Sequence, residues 1–458
     1  MTRLALIVVA VAANAFGGEW KAGAAKTPIT PAKPMWMSGY GSRDHAAEGT
    51  LHELWCKALA LESPGGARAV VISLDLVGVS KDLSDRASAQ ITEKLGIPRA
   101  AIMIATSHTH TGPMTSGNLE LMFDLSAEEQ QKIRDYTQSL EAKIVQTVAD
   151  AVGRLGPARL SWANGAATFA VNRRNNVEAN VPQIRGVGEL KGPVDYEVPV
   201  LCVRAPDGKI RSVVFGYACH ATVLSFYQWS GDYPGFAMME LEKSHPDAVA
   251  LFFAGCGADQ NPLPRRTVEL AEQYGRELAE SVDEVLYGTM NPVGDRFAAK
   301  FAILDLPLDT LPTPDQMVKL AESGNAYEKR LARVLLDRLN KGGSLQQKYP
   351  YPIQVWHVGG DLTWVALGGE VVVDYSVRLK RELAPGRTWV AGYCNDVMAY
   401  IPSLRVLKEG GYEGASSMVL YGHPTKWAPS VEELIVAKVH ELARQPAGAN
   451  GTKGDSNQ

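Results

Sequence analysis

The chain has 458 residues, 46% of them hydrophobic and 21% charged, with a formal net charge of −4 at pH 7. That length is ample for a packed core, and the composition is ordinary for a globular protein. So small a charge leaves no electrostatic footprint for nucleic acid or for an anionic membrane surface.

The N-terminus reads as an export signal. Arg3 is its positive end, Leu4 to Ala13 an apolar run too short to span a bilayer, and Ala13-Asn14-Ala15 a small-residue cleavage site. The predicted segments are a signal peptide over 1–15, one large domain over 16–446 and a disordered Gly-, Asn- and Ser-rich tail over 447–458. The mature chain is expected to be secreted or periplasmic and to start near Phe16. Residues 21–50, rich in Pro and Gly, predict an irregular entry segment that could line a cleft.

Val70 to Val77 reads as a buried strand carrying Asp75, and Leu83 to Leu95 as a helix stopped by Gly96. A short strand, Ala101 to Ala105, leads into Thr106-Ser107-His108-Thr109-His110-Thr111-Gly112-Pro113. If the chain stays extended there, His108 and His110 project to the same side. Two such imidazoles can serve one metal ion, or one metal ion and one proton transfer; they can equally be two satisfied polar residues in a turn. Ala127 to Leu155 predicts a long helix capped by Ser126. Strands follow at Ala158–Trp162, Ala167–Asn172, Val198–Arg204 and Arg211–Cys219, then a helix at Tyr233–Lys243. Val249–Ala254 reads as strand, Val268–Leu286 as helix and Phe301–Leu306 as strand. Residues 313–341 are charged and helical, the most plausible insertion or lid. Ile353–Val358 and Leu362–Leu367 form a predicted hairpin around Gly359-Gly360, followed by helix Val371–Leu383, strand Thr388–Ala391 and helix Val431–Ala443. This interleaving predicts an α/β fold, a single large domain with mixed β-sheets flanked by helices.

No glycine-rich phosphate loop follows a strand, so a nucleotide cofactor is not indicated. The five cysteines, Cys56, Cys202, Cys219, Cys256 and Cys394, form no Cys-x-x-Cys pair and read as small buried hydrophobes, Cys219 beside His220 included. Polar residues end four apolar runs: His108 and His110, His220, Glu370 after Gly368-Gly369, and the stretch Asn395 to Tyr400. Loops at strand ends are where α/β proteins assemble sites. Two histidines and a carboxylate suit a catalytic zinc with an open position.

The stretches Thr106–Pro113, Val171-Asn172-Arg173, Ala218-Cys219-His220, Gly231–Gly235, Gly368-Gly369-Glu370, Tyr400 and Tyr412–Ser416 resemble, in order, the catalytic domain of the neutral/alkaline non-lysosomal ceramidases. The resemblance implies a ceramidase-like fold and a Zn2+ ion held by His108, His220, Glu370 and Tyr400. It implies that His110, Arg173 and Tyr412 line the reacting centre, moving a proton and donating to an oxyanion. Two departures separate the chain from the ceramide-cleaving members. Their Gly-x-x-Ser-Pro-Asn segment here reads Gly255-Cys-Gly-Ala-Asp-Gln-Asn-Pro262 with no serine, and the chain ends without their C-terminal immunoglobulin-like domain. Asp259, Gln260 and Asn261 stand in that segment as candidates to bind a polar substrate; Asp259 could instead cap a helix or turn. The expected activity is zinc-dependent hydrolysis of an N-acyl amide by metal-activated water, on a small-molecule or lipid-like substrate that need not be ceramide. Hydrolysis of an ester, lactone or sugar-derived bond, and a non-catalytic binding protein on the same fold, are the alternatives.

Overall fold

The computed structural model describes residues 19–323 and 325–444. The predicted signal peptide and tail lie outside the described residues.

Two mixed β-sheets stack face to face between helices, as expected. Among the described residues the larger has nine strands. Eight run in the order Val249–Ala254, Ile210–Tyr217, Glu197–Arg204, Gly156–Ala166, Trp20–Pro28, Trp55–Glu62, Arg68–Leu74 and Ile102–Thr106, and Asn291–Pro292 pairs alongside Gly156–Ala166. Its two outermost pairs are parallel and the inner ones antiparallel. The smaller sheet orders Phe297–Pro307, Lys348–Val358, Leu362–Leu367 and Thr388–Ala391.

Aromatic rings fill the space between the sheets. Phe253 packs on Trp364 at 4.8 Å and on Trp389 at 6.2 Å, and Phe297 joins Trp20 to Trp356. Such large apolar faces, buried except for the partly exposed Phe297, are the main favourable term holding the two sheets together. Outside the larger sheet lie the helices Ala127–Gly153, Asp232–Ser244 and Val268–Tyr287; outside the smaller lie Val373–Glu382 and Val431–Ala443.

Local signals set the helix ends. Ser126 Oγ accepts from Glu129 N, and Gly96, at φ +69°, closes the Lys81–Leu95 helix. Residues 313–341 form two helices, Pro314–Glu322 behind a Thr313–Gln316 capping box and Ala326–Asn340. Their shared apolar side, Met317, Leu331 and Leu335, packs with Leu121 and Val419.

One expectation is corrected. The entry segment is not irregular from residue 21: Trp20–Pro28 is a full strand, paired antiparallel with Trp55–Glu62. Its Ala-Gly-Ala-Ala centre has weak strand propensity, and it is small because the Ala127–Gly153 helix lies against it. A Cβ at Gly23 would sit 2.3 Å from Ala151 O.

At one end of the stack the two sheets meet edge to edge. Ala105 bridges to Cys394 and Gly255 to Ala391, so loops from both sheets converge on one spot.

Candidate metal centre

Three strand ends feed this spot, and Tyr400 joins them. The Ile102–Thr106 strand runs into His108 and His110, and Ile210–Tyr217 into His220. Leu362–Leu367 runs through Gly368-Gly369 into Glu370, which pairs in register with Tyr400. Gly369 stands at φ +76°, where a Cβ would meet Ala399 O at 2.7 Å, so the turn that delivers Glu370 requires glycine. The chain does not stay extended at the histidines: His108 has φ +59°. That twist, rather than strand alternation, brings its Nε2 to 3.2 Å from His110 Nε2.

The imidazoles of His108 and His220 are oriented by the main chain. His108 Nδ1 donates to Val77 O at 2.5 Å, and His220 Nδ1 to Gly257 O at 2.7 Å. With the proton on Nδ1, each ring turns an Nε2 lone pair inward. Glu370 Oε2 lies 3.1 Å from His108 Nε2 and 3.2 Å from His220 Nε2, and no hydrogen bond satisfies it. Burial first, and then the charge of Arg173, push His220 down to about 4, so near neutrality it brings no proton to Glu370. Burial opposes ionisation of Glu370 as well, but the histidines outweigh it and hold its carboxyl well below the usual range.

The inward Nε2 atoms of His108 and His220 and the unsatisfied Oε2 of Glu370 therefore face one another in a buried space. Two imidazole nitrogens and a carboxylate oxygen gathered at this spacing form a donor set that a cation can take up. Ligand atoms on a tetrahedral zinc with bonds of about 2.0–2.1 Å are about 3.3 Å apart. Tyr400 Oη, at 3.4 Å from His220 Nε2, has the same spacing. The donor set fits a zinc ion.

His110 differs. Its Nε2 shares the cluster, the three imidazoles having ring nitrogens within 4.8 Å of one another. Its buried Nδ1 has no hydrogen-bond partner, so no carbonyl orients the ring as one does for His108 and His220. Burial, then His108 and His220, push its pKa well below the usual histidine range. Tyr40 packs edge-on against it at 4.8 Å.

Arg173 lies on the other side. Its guanidinium donates to Tyr400 Oη at 3.2 Å, to Glu413 Oε1 at 2.7 Å and to Asn261 Oδ1 at 3.3 Å. Tyr412, 43% exposed, sets its ring edge-on to Tyr400 at 5.1 Å. All seven residues expected at the metal and the reacting centre thus meet in one place.

The sequence model of the neutral/alkaline non-lysosomal ceramidases, N-terminal part, matches residues 20–261. The chain belongs to this family. Membership makes it a ceramidase-like hydrolase. The fold agrees: the crystal structure of neutral ceramidase from Pseudomonas aeruginosa superposes with a TM-score of 0.72 at 20% identity, over 93% of this chain and 74% of that one. A ceramidase complexed with C2 gives 0.71 at 20% identity, over 93% and 75%. No curated protein matches the chain.

Within this ceramidase-family chain the three candidate substrate residues separate. Asp259 is fully buried; its carboxylate accepts from Val373 N and Asn172 Nδ2, tying the start of the Val373–Glu382 helix to the Ala170–Asn172 strand. Gln260 is also fully buried, with its carbonyl on His220 N. Asn261 alone of the three lines the open cleft beside Arg173. The Gly231–Gly235 motif is structural too: Asp232 accepts from the amides of Val223, Leu224 and Tyr233 and so folds the loop after His220.

Ala258, Asp259 and Gln260 stand where ceramide-cleaving relatives are expected to carry serine. Ser230 Oγ is paired with His52 Nε2 at 3.0 Å, but Ser230 is fully buried and its carbonyl is held by Thr109 and Thr111. It braces the histidine loop from behind. All five cysteines are buried and unbonded to one another, as expected. Two residues that no motif marked complete the site. Tyr421 Oη donates to Glu370 Oε1, freeing Oε2 for the histidines, and Tyr393 lies against the His108 ring at 4.3 Å.

Proposed function

We propose that the chain is an exported zinc-dependent hydrolase of an N-acyl amide bond, with a substrate that need not be ceramide. The observation that carries this reading is the unsatisfied, buried Glu370 Oε2 facing the inward Nε2 atoms of His108 and His220. Those three and Tyr400 would hold the ion. When bound, zinc supplies Lewis-acid polarisation of the scissile carbonyl and makes hydroxide available near neutral pH.

The protein's own groups do the rest. His110, uncharged and with no partner on Nδ1, takes the proton from the attacking water at Nε2 and returns it to the departing amine nitrogen. Arg173, held in plane by Glu413 and Asn261, donates to the oxyanion, with Tyr412 beside it. Ala258 has no nucleophile to offer and the Ser230 hydroxyl is committed behind the loop, which favours direct attack by water over an acyl-enzyme.

Export rests on Arg3, the Leu4–Ala13 run and the Ala13-Asn14-Ala15 site. Among the described residues no helix is long and apolar enough to cross a membrane. A panel of N-acyl amides against matched esters, with and without chelation, tests the activity. The expected result is chelator-sensitive amide cleavage with no covalent adduct in protein quenched during turnover. Ester cleavage without amide cleavage, or an acylated Ser230, contradicts it.

A further inference from the structure

Beyond Arg173 and Tyr412 the site continues into an open cleft of about 500 Å3. Its walls carry Arg173, Arg174 and Arg265 together with Asn176 and Asn261, and Leu263 is the one aliphatic side chain in its lining. A substrate with two long hydrocarbon chains gains its binding from apolar side chains, and this cleft offers them Leu263 and the Tyr412 ring. The charged groups instead suit a polar substrate.

The three arginines are not equivalent. Arg173 serves the reacting centre. Arg174 is clamped between Glu409 and Glu413, and Glu413 is itself buried. Arg265 is different. Its Nε and Nη2 donate in parallel to the two oxygens of Glu178, at 2.9 and 2.7 Å. The Arg265 side chain is 13% exposed and that of Glu178 is 46% exposed. The guanidinium is thus fixed in the wall while its partner stands at the rim in water.

We infer that the cleft selects an amide substrate bearing a free carboxylate, with Arg265 as the anchor and Glu178 as its stand-in when no substrate is bound. This rests on the amide-hydrolase reading. The substrate carboxylate takes over the two parallel hydrogen bonds that Glu178 now receives, a geometry that suits arginine in particular. Exchange is balanced, because one carboxylate replaces another on the same guanidinium and Glu178, half exposed at the rim, returns to water. Once the amide is held at the metal centre the carboxylate arrives intramolecularly, at high effective concentration.

The test uses the full-length, zinc-loaded protein and three probes: N-benzoylglycine, its neutral primary amide, and N-acetylsphingosine. Binding is measured by calorimetry, and cleavage by amine release. The acid is expected to bind about ten- to a hundredfold tighter than its amide, as for a charge-assisted pair. Arg265→Gln should bring that ratio to within about twofold, the size left when no charge-assisted bond remains. Glu178→Gln, at an exposed position where folding is not at stake, should raise the ratio. Equal binding of acid and amide, a preference that survives Arg265→Gln, or tighter binding of N-acetylsphingosine overturns the inference. The two readings fail separately. An acid preference without cleavage of any amide keeps the anchor and sinks the hydrolase. Cleavage of the neutral amide and N-acetylsphingosine without acid preference does the reverse.

Discussion

His108 and His110 lie two residues apart and both aim Nε2 at the same space, yet only His108 has its Nδ1 fixed by a carbonyl. That difference supports His108 as a ligand and His110 as the proton carrier. Sequence spacing alone left both roles open; the resemblance named His108, His220, Glu370 and Tyr400, and the fold brings the four together. Tyr421 was invisible because it ends a short 3-10 turn, Ser416–Tyr421, with no motif around it. Its hydroxyl holds one Glu370 oxygen so that the other can face the histidines. Tyr421→Phe is expected to weaken zinc about 10- to 100-fold in competition with a chelator, as for a lost orienting partner, with the fold intact. Unchanged affinity would mean that Tyr421 is only packing.

At the scale of elements, apolar runs bounded by turn residues were legible. Val249–Ala254, Leu362–Leu367, Thr388–Ala391 and Val431–Ala443 begin and end as expected. The Trp20–Pro28 strand was not, because its Ala and Gly residues answer to the helix above it rather than to strand propensity. The contact predicts its own test. In Gly23→Ala the new methyl must displace the Ala151 carbonyl, at a cost of about 1–3 kcal/mol, the usual range for overpacking. Urea unfolding should show a lower midpoint; an unchanged one would mean that strand and helix separate freely. The two helices of 313–341 dock beside the site: Tyr327 Oη donates to Gly41 O and Arg330 to Leu121 O and Met122 O. Gly41 neighbours Tyr40, whose ring touches His110. The segment thus braces the His110 side of the site.

For the whole molecule, burial ties stability to pH through Asp396, whose carboxylate accepts from Tyr349 Oη. Burial is the largest cause that raises Asp396 from 3.8 to about 7, against the opposing pull of Tyr349 and Lys81. A carboxyl whose folded pKa is raised stabilises the fold below its unfolded value, and that contribution is lost as pH rises through the folded value. The window is therefore about pH 4 to 7. Asp396→Asn, which cannot ionise, should show the larger deficit in melting temperature against the parent at pH 5 and the smaller at pH 7.5. A deficit independent of pH would mean that Asp396 titrates alike in both states.

The central claim is that the family's fold here gathers a His108–His220–Glu370 metal site with His110 outside it. Metal content by elemental mass spectrometry, on the full chain beside Glu370→Ala and His110→Ala, tests it most directly. The expected result is about one zinc per chain in the parent and in His110→Ala, and none in Glu370→Ala. Zinc retained by Glu370→Ala and lost by His110→Ala would contradict the account and assign the ion to the three imidazoles instead.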